Sequence, residues 1–296
     1  MNIISGNCAG AFSGFLAQLA WMETAEKSNG EINLYLHTRN KTEKAGNTYF
    51  DYTWRSSNEN DFKKILEKNI LFDFFEPNEY MTKKFPEDFI YFETYPIEIK
   101  QNLLKYPEDT LKYGGRGNLK DQYLDVESLE ITRNALNRQW NKFKFTEKFD
   151  NLIKEEEKII KGKKVLTLML RYSDHYRRMD VFEKSIEMVK EKIDDYDHLL
   201  LITLVQPFID EFKKVFGDKC IFTERSRVSE DIDWPGGRNE FMSDDEYLVE
   251  YQNAFLDVIL SSKTDTLIGS SSNMFFAALC MNPKIRHDLF CFVDGR

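Results

Sequence analysis

Three polar segments of this 296-residue chain combine residue types suited to holding an anion. The densest is Arg171-Tyr172-Ser173-Asp174-His175-Tyr176-Arg177-Arg178, directly behind the run 165–170, apolar but for Thr167. An arginine that abuts such a run cannot swing far into solvent, and its planar fork suits bidentate contact with a phosphate or carboxylate. Arg171 holds that position, with Asp174 and His175 close behind it. A bridge from Arg171 to a local acid such as Asp174 is the plainer alternative, and Arg177 and Arg178 read as surface charge. The second segment is Ser270-Ser271-Ser272-Asn273, ahead of an apolar helical pattern. Hydroxyls and free N–H groups at a helix start bind phosphate oxygens well. One serine is enough for an ordinary cap; the extra serines and Asn273 exceed that need. The third is Gly10-Ala11-Phe12-Ser13-Gly14, where glycines let a ligand approach the backbone before a helix begins. A plain structural turn has the same signature.

The elements that must position these segments follow from hydrophobic periodicity. The chain opens with a strand at 2–6, a Gly/Ser loop, an amphipathic helix at 15–27 and a strand at 32–36, a β-α-β beginning that predicts a parallel sheet. From 37 to 121 it is irregular and aromatic, with Pro77, Pro86, Pro96 and Pro107 punctuating short helices and long loops. A charged helical stretch covers 126–160 and ends at Lys161-Gly162-Lys163-Lys164; its charges read as a solvated helix face. A second β-α-β series follows. Strands are predicted at 165–170, 198–204, 220–223 and 266–269, and helices at 182–193, 207–216, 244–261 and from 270 through Cys280. Gly217 supplies a stop for the helix before it. The organisation is an N-terminal Rossmann-like domain over 1–125, a helical connector over 126–160 and a C-terminal Rossmann-like domain over 161–296. Ligands in such sheets gather at the carboxyl ends of strands, where all three polar segments fall.

Composition sets the outer limits. With 42% hydrophobic residues the chain can bury a sizeable core, which excludes wholesale disorder. Its 41 Lys+Arg against 50 Asp+Glu give a formal charge of −9, which argues against a general nucleic-acid binder. Cys8, Cys220, Cys280 and Cys291 show neither C-x-x-C nor zinc spacing with histidine, and read as free, mostly buried thiols. No apolar stretch approaches the roughly 20 residues of a membrane span, and the N-terminus lacks the signature of a secretory leader. The chain therefore reads as cytoplasmic, with no membrane span. There is no GxxxxGK[ST], HExxH or GxSxG, and no GxGxxG after the first strand. The Asp231-Ile232-Asp233 triplet precedes Trp234-Pro235-Gly236-Gly237 and reads as a solvated loop rather than a metal–diphosphate site. Two nucleotide-type sheets, an arginine and a serine cluster together suggest a glycosyltransferase in which side chains, not a metal ion, neutralise a leaving diphosphate.

The run Met169-Leu170-Arg171-Tyr172-Ser173-Asp174 resembles the His-x-Arg-x-x-Asp strand end of the fucosyltransferase-like GT-B superfamily, with Met169 in place of the histidine. That group includes α-1,6-, nodulation and protein O-fucosyltransferases. Phe255-Leu256-Asp257-Val258-Ile259-Leu260-Ser261, followed by Leu267-Ile268-Gly269-Ser270-Ser271-Ser272-Asn273, is similar to the family's C-terminal block. The N-terminal loop resembles the family's Gly-x-Phe-Ser/Gly-Asn run, with Gly14 where many members keep asparagine. Thr203-Leu204 stands where members often carry Thr-Asp. The resemblance covers most of 136–283 and about the first 25 residues.

The resemblance implies a GT-B fold, two Rossmann-like domains facing a cleft, and inverting transfer of fucose from GDP-fucose to a glycan hydroxyl. It implies no metal and no cofactor beyond the sugar-nucleotide donor. Arg171 would bind the donor β-phosphate and serve catalysis. Asp257 would pair with the guanine N1–H and 2-amino edge. Ser270, Ser271, Ser272 and Asn273 would hold the diphosphate, with Gly10, Ser13, Gly14, Asp174 and His175 also on the donor side. Asp51, in Asn47-Thr48-Tyr49-Phe50-Asp51-Tyr52, is the candidate general base, and His175 a reserve. An exposed helix carboxylate is the plainer reading of Asp257. A different sugar nucleotide such as UDP-xylose, or an inactive glycan-binding relative, remains an alternative. The family's pattern also implies a C-terminal helix folding back over the first domain, whereas this chain stops soon after Asn282-Pro283.

Overall fold

The computed structural model describes residues 2–5, 11–27, 29–36, 69–83, 90–91, 126–170, 179–225, 244–270 and 272–290. The chain divides into two compact units. The first holds 1–117, 121–150 and 243–252; the second holds 118–120, 151–242 and 253–296.

In the first unit, β1 (Asn2–Ser5), α1 (Ala11–Lys27) and β2 (Asn33–Leu36) form the expected β-α-β opening. With β3 (Ile90–Tyr91) they make a three-stranded parallel sheet in the order β2-β1-β3. A short α2 (Leu71–Phe74) lies in the aromatic middle of the sequence. The charged stretch expected to be helical over 126–160 is two helices, α3 (Val126–Trp140) and α4 (Glu147–Glu157). The break has a local and a tertiary cause. Thr146 accepts the Phe149 N–H on its hydroxyl at 3.3 Å, restarting the helix, and Phe145 bridges to Phe75 in extended backbone. Burial of aromatic surface fixes this corner: Phe15 stacks on Phe75 at 5.6 Å, and Phe75 meets Trp140 at 5.8 Å and Phe143 at 5.0 Å. Glu23 of α1 is buried but satisfied, accepting from Arg138 Nη2 and Gln139 Nε2 of α3, both at 2.7 Å. Asn69 plays the same part beside β2, donating to the Leu34 and Thr82 carbonyls and accepting from the Leu36 N–H.

The second unit carries the strands β4 (Val165–Met169), β5 (His198–Ile202), β6 (Cys220–Ile221), β7 (Thr266–Ser270) and β8 (Arg286–Phe290). Its helices are α5 (Met179–Lys190), α6 (Gln206–Phe216), α7 (Asp244–Ser262) and α8 (Asn273–Met281). The five strands are all parallel, in the order β6-β5-β4-β7-β8. β4 is buried at every position, as a strand covered on both faces must be, and its one polar side chain, Thr167, bonds the Thr264 hydroxyl at 2.8 Å. Leu166, Leu168, Leu199, Leu201 and Ile268 pack with Phe182, Ile209 and Phe212 of α5 and α6. Side chains also pin strand starts: the Asp265 carboxylate accepts the Val165 N–H and the Asp197 carboxylate the Lys164 N–H, both at 2.7 Å. Gly217 closes α6 at φ 57°, a left-handed conformation suited to glycine, and its N–H reaches the Lys213 carbonyl.

Sequence patterning missed two strands, the two-residue β3 and the longer β8; in β8 the cause is plain. Its Arg286-His287-Asp288 start is too polar for a core strand, but an edge strand pairs on one side only, here with β7. Among the described residues no helix is long and apolar enough to cross a membrane.

Gly269 sets how closely α8 approaches the sheet. A Cβ there would stand 2.6 Å from the Phe275 ring and 3.2 Å from the Met169 carbonyl oxygen. Gly269→Ala is therefore expected to destabilise the chain by about 1–3 kcal/mol, read as a lower urea midpoint with an unchanged m-value.

Candidate functional site

The strand order locates the site. From β4 the chain builds outward through β5 and β6, then crosses back to β7 on the other side of β4. The reversal falls between β4 and β7, and in open parallel sheets ligands bind outside the carboxyl ends of the strands at that point. Register sharpens this: Met169 of β4 pairs with Gly269 of β7, so the two strands end side by side. Arg171 follows β4 after a single residue, Leu170, whose N–H donates to the Ile202 carbonyl at 2.9 Å. Ser270 is the last residue of β7. Arg171, Asp174 and His175 themselves lie outside the described residues, as do Gly10, Asp51 and Ser271.

At the end of β7, Ser272 is the N-cap of α8. Its backbone is extended at φ −135° and ψ 157°, and its side-chain oxygen accepts the Phe275 N–H at 3.2 Å. The plain capping reading thus holds for Ser272, which keeps its hydroxyl proton to donate. Asn273 opens the helix. By helix geometry, first-turn N–H groups beyond those capped have no partner within the helix, and the positive end of the helix dipole adds to their attraction for an anion. Gly269 and Phe275 hold this helix start against the strand ends.

At the N-terminal loop the structure differs from expectation. α1 begins at Ala11, so Ser13 and Gly14 belong to its first turns and not to a loop before it. An interior glycine costs a helix about 1 kcal/mol relative to alanine, which burial of Phe15, Leu16, Leu19 and Ala20 on the same helix offsets.

Asp257 is not an exposed helix carboxylate. It lies on α7 with its side chain 8% exposed, and its Oδ1 accepts from Arg225 Nε at 3.1 Å and from Thr223 Oγ1 at 3.3 Å. Thr223 and Arg225 come just after β6. The other arm of the guanidinium, Nη1, donates to Glu156 Oε1 of α4 at 2.8 Å. One guanidinium thus bridges two carboxylates, Asp257 and Glu156. Ser261, one turn on, donates to the Asp257 carbonyl at 2.6 Å. Sequence reasoning missed Arg225. The usable signal was the one that marked Arg171: an arginine within a few residues of a parallel strand's carboxyl end.

Other polar candidates resolve as structural. In Asp195-Tyr196-Asp197, a second Asp-x-Asp, the Asp197 carboxylate caps the Lys164 N–H and the Tyr196 hydroxyl bonds Thr266 at 2.6 Å. Thr203 accepts the Val205 N–H at 3.3 Å in a turn after β5. Cys220 and Cys280 are free and buried, and burial pushes the Cys220 thiol up to about 11, so it is no nucleophile at neutral pH. Among the described residues no three His, Cys, Asp or Glu side chains group at metal-binding range.

No family model matches the sequence, and no curated protein is similar to it in sequence. The fold does have relatives among solved structures: it is the mixed α/β, parallel-sheet fold of fucosyltransferase structures. NodZ α-1,6-fucosyltransferase soaked with GDP-fucose superposes with a TM-score of 0.54 at 12% identity, over 96% of this chain and 93% of that one. The same enzyme co-crystallised with GDP gives 0.54 at 13% identity, over 97% and 94%. Fucosyltransferase NodZ from Bradyrhizobium gives 0.52 at 13% identity, over 96% and 94%. Identities this low establish the fold, and the chemistry has to be argued from residues.

The cap at α8 is open to direct measurement. Ser272→Ala is expected to cost about 1 kcal/mol of stability while Ser272→Thr retains most of it; urea unfolding of the two variants beside wild type reads the difference.

Proposed function

We propose that the chain is a glycosyltransferase that moves fucose from GDP-fucose to a glycan hydroxyl, with inversion and without a metal ion. The observation that carries this reading is the buried Asp257. A carboxylate taken out of water on the helix leading into β7, at the unit's nucleotide-type sheet, has a use in accepting the paired N–H donors of a guanine edge. The fold likeness supports the same reading, since the NodZ structures were solved with GDP-fucose and with GDP.

In this reading 161–296 binds the donor and 1–125 the acceptor, with 126–160 connecting them. The acceptor oxygen attacks the anomeric carbon from the face opposite the diphosphate. The bond from that carbon to the β-phosphate oxygen breaks, and its electron pair leaves with GDP. Arg171 meets the charge growing on the β-phosphate, together with the hydroxyls of Ser270, Ser271 and Ser272, Asn273 and the N–H groups that open α8. Donors fixed before the reaction cost no reorganisation during it, which is where their advantage over water lies. The acceptor proton passes to a general base, for which Asp51 is the candidate and His175 the reserve. Asp174 orients Arg171 or the donor, and Gly10, Ser13 and Gly14 allow the sugar to approach the first turn of α1.

Calorimetric titration with GDP and with UDP, in EDTA, tests the reading on wild type and Asp257→Ala. GDP is expected to bind in preference to UDP, and Asp257→Ala to weaken GDP at least tenfold, about 1.4 kcal/mol or more. Preference for UDP would transfer the assignment to another donor. Binding of neither nucleotide would leave a glycan-binding protein as the better description.

A further inference from the structure

Arg225 is a buried cation with part of its donor capacity unused. Its side chain is 5% exposed, Nε is committed to Asp257 and Nη1 to Glu156, while the buried Nη2 has no hydrogen-bond partner among the described residues. Nη2 shares one edge of the planar fork with Nε, the edge that addresses Asp257. A bidentate pair would use both nitrogens on that edge. Here the contact is through Nε alone, and the neighbouring donor is left over. Buried donors without acceptors are rare, and one that persists beside a ligand-reading carboxylate points to an acceptor brought by the ligand.

Guanine presents that acceptor in the matching place. Along its pairing edge the 2-amino group and N1–H are donors, and the 6-oxo group beside N1 is an acceptor. A carboxylate that takes the two donors leaves the oxo group adjacent to itself, where a second protein donor is needed. We infer that Arg225 is a specificity-determining residue of the donor site, its Nη2 donating to the 6-oxo group of guanine while its Nε fixes Asp257 against the N–H edge. The inference rests on the guanine reading above and adds a second, independent contact to it. Uracil has a single ring N–H between two oxo groups and cannot match this order of donors and acceptors. Adenine carries an amino group where the guanidinium requires an acceptor. Glu156 completes the arrangement by holding Nη1, so that rotation of the fork away from the base would break a charged hydrogen bond at 2.8 Å.

The test compares GDP with 6-thio-GDP, which keeps N1–H and the 2-amino group but offers sulfur, a poor acceptor, at position 6. Equilibrium titration of wild type should give about tenfold tighter binding of GDP. Arg225→Lys, which keeps the charge but lacks the fork, should bring that ratio close to one. Equal binding of the two ligands by wild type overturns the assignment, and this arm does not depend on the variant folding. So does a variant that binds both more weakly at an unchanged ratio, since Arg225 would then only orient Asp257. A chain that prefers UDP to GDP overturns the guanine reading itself. One that prefers GDP to UDP yet does not distinguish GDP from its thio analogue overturns the role of Arg225 alone.

Discussion

The order of five parallel strands constrains everything proposed for the second unit. Because β7 lies on the opposite side of β4 from β5, the segments that leave β4 and β7 start from neighbouring strand ends. In open parallel sheets such a reversal makes room for a ligand outside the strand ends, and Ser272 and the start of α8 follow directly from the end of β7. Gly269 is the steric condition for that helix start. Without a Cβ it admits the Phe275 ring against the sheet, so α8 can start close to the strand end.

Charge is arranged with the same economy. Burying Asp257 would be costly in isolation. The Arg225 guanidinium bridges it to Glu156, and the Thr223 hydroxyl adds a further donor. Breaking such a pair by removing the cation costs about 3–5 kcal/mol, because a buried charge is left behind. The cluster is therefore a structural element of the second unit as well as the proposed base reader.

Much of this was legible in the sequence, for identifiable reasons. β4 and β5 are apolar but for Thr167 and His198, Gly217 ends α6, and the long helix expected over 244–261 is α7 to within a residue. The helix expected from 270 starts at Asn273, with Ser272 as its cap and Ser270 still in β7. The failures lie where tertiary context outweighs local pattern. The break between α3 and α4 depends on Phe75 pairing with Phe145 across 70 positions of sequence, and β8 is a polar edge strand that only its neighbour β7 defines. α1 starts early because apolar burial later in the helix outweighs the cost of Gly14. Arg225 was invisible for the same kind of reason, its two carboxylate partners lying 32 and 69 residues away. Arg171, Asp174, His175, Gly10, Asp51 and Ser271 fall outside the described residues, so their roles rest on sequence and on the placement of the strands that lead to them.

The most direct test of the central claim is a crystal structure of the chain with GDP bound. The account predicts the guanine edge on Asp257 and Arg225, and the diphosphate at the end of β7 against Ser272 and the start of α8, with Arg171 on the β-phosphate. A nucleotide bound away from the β4–β7 reversal, or one whose base edge meets neither Asp257 nor Arg225, would contradict it.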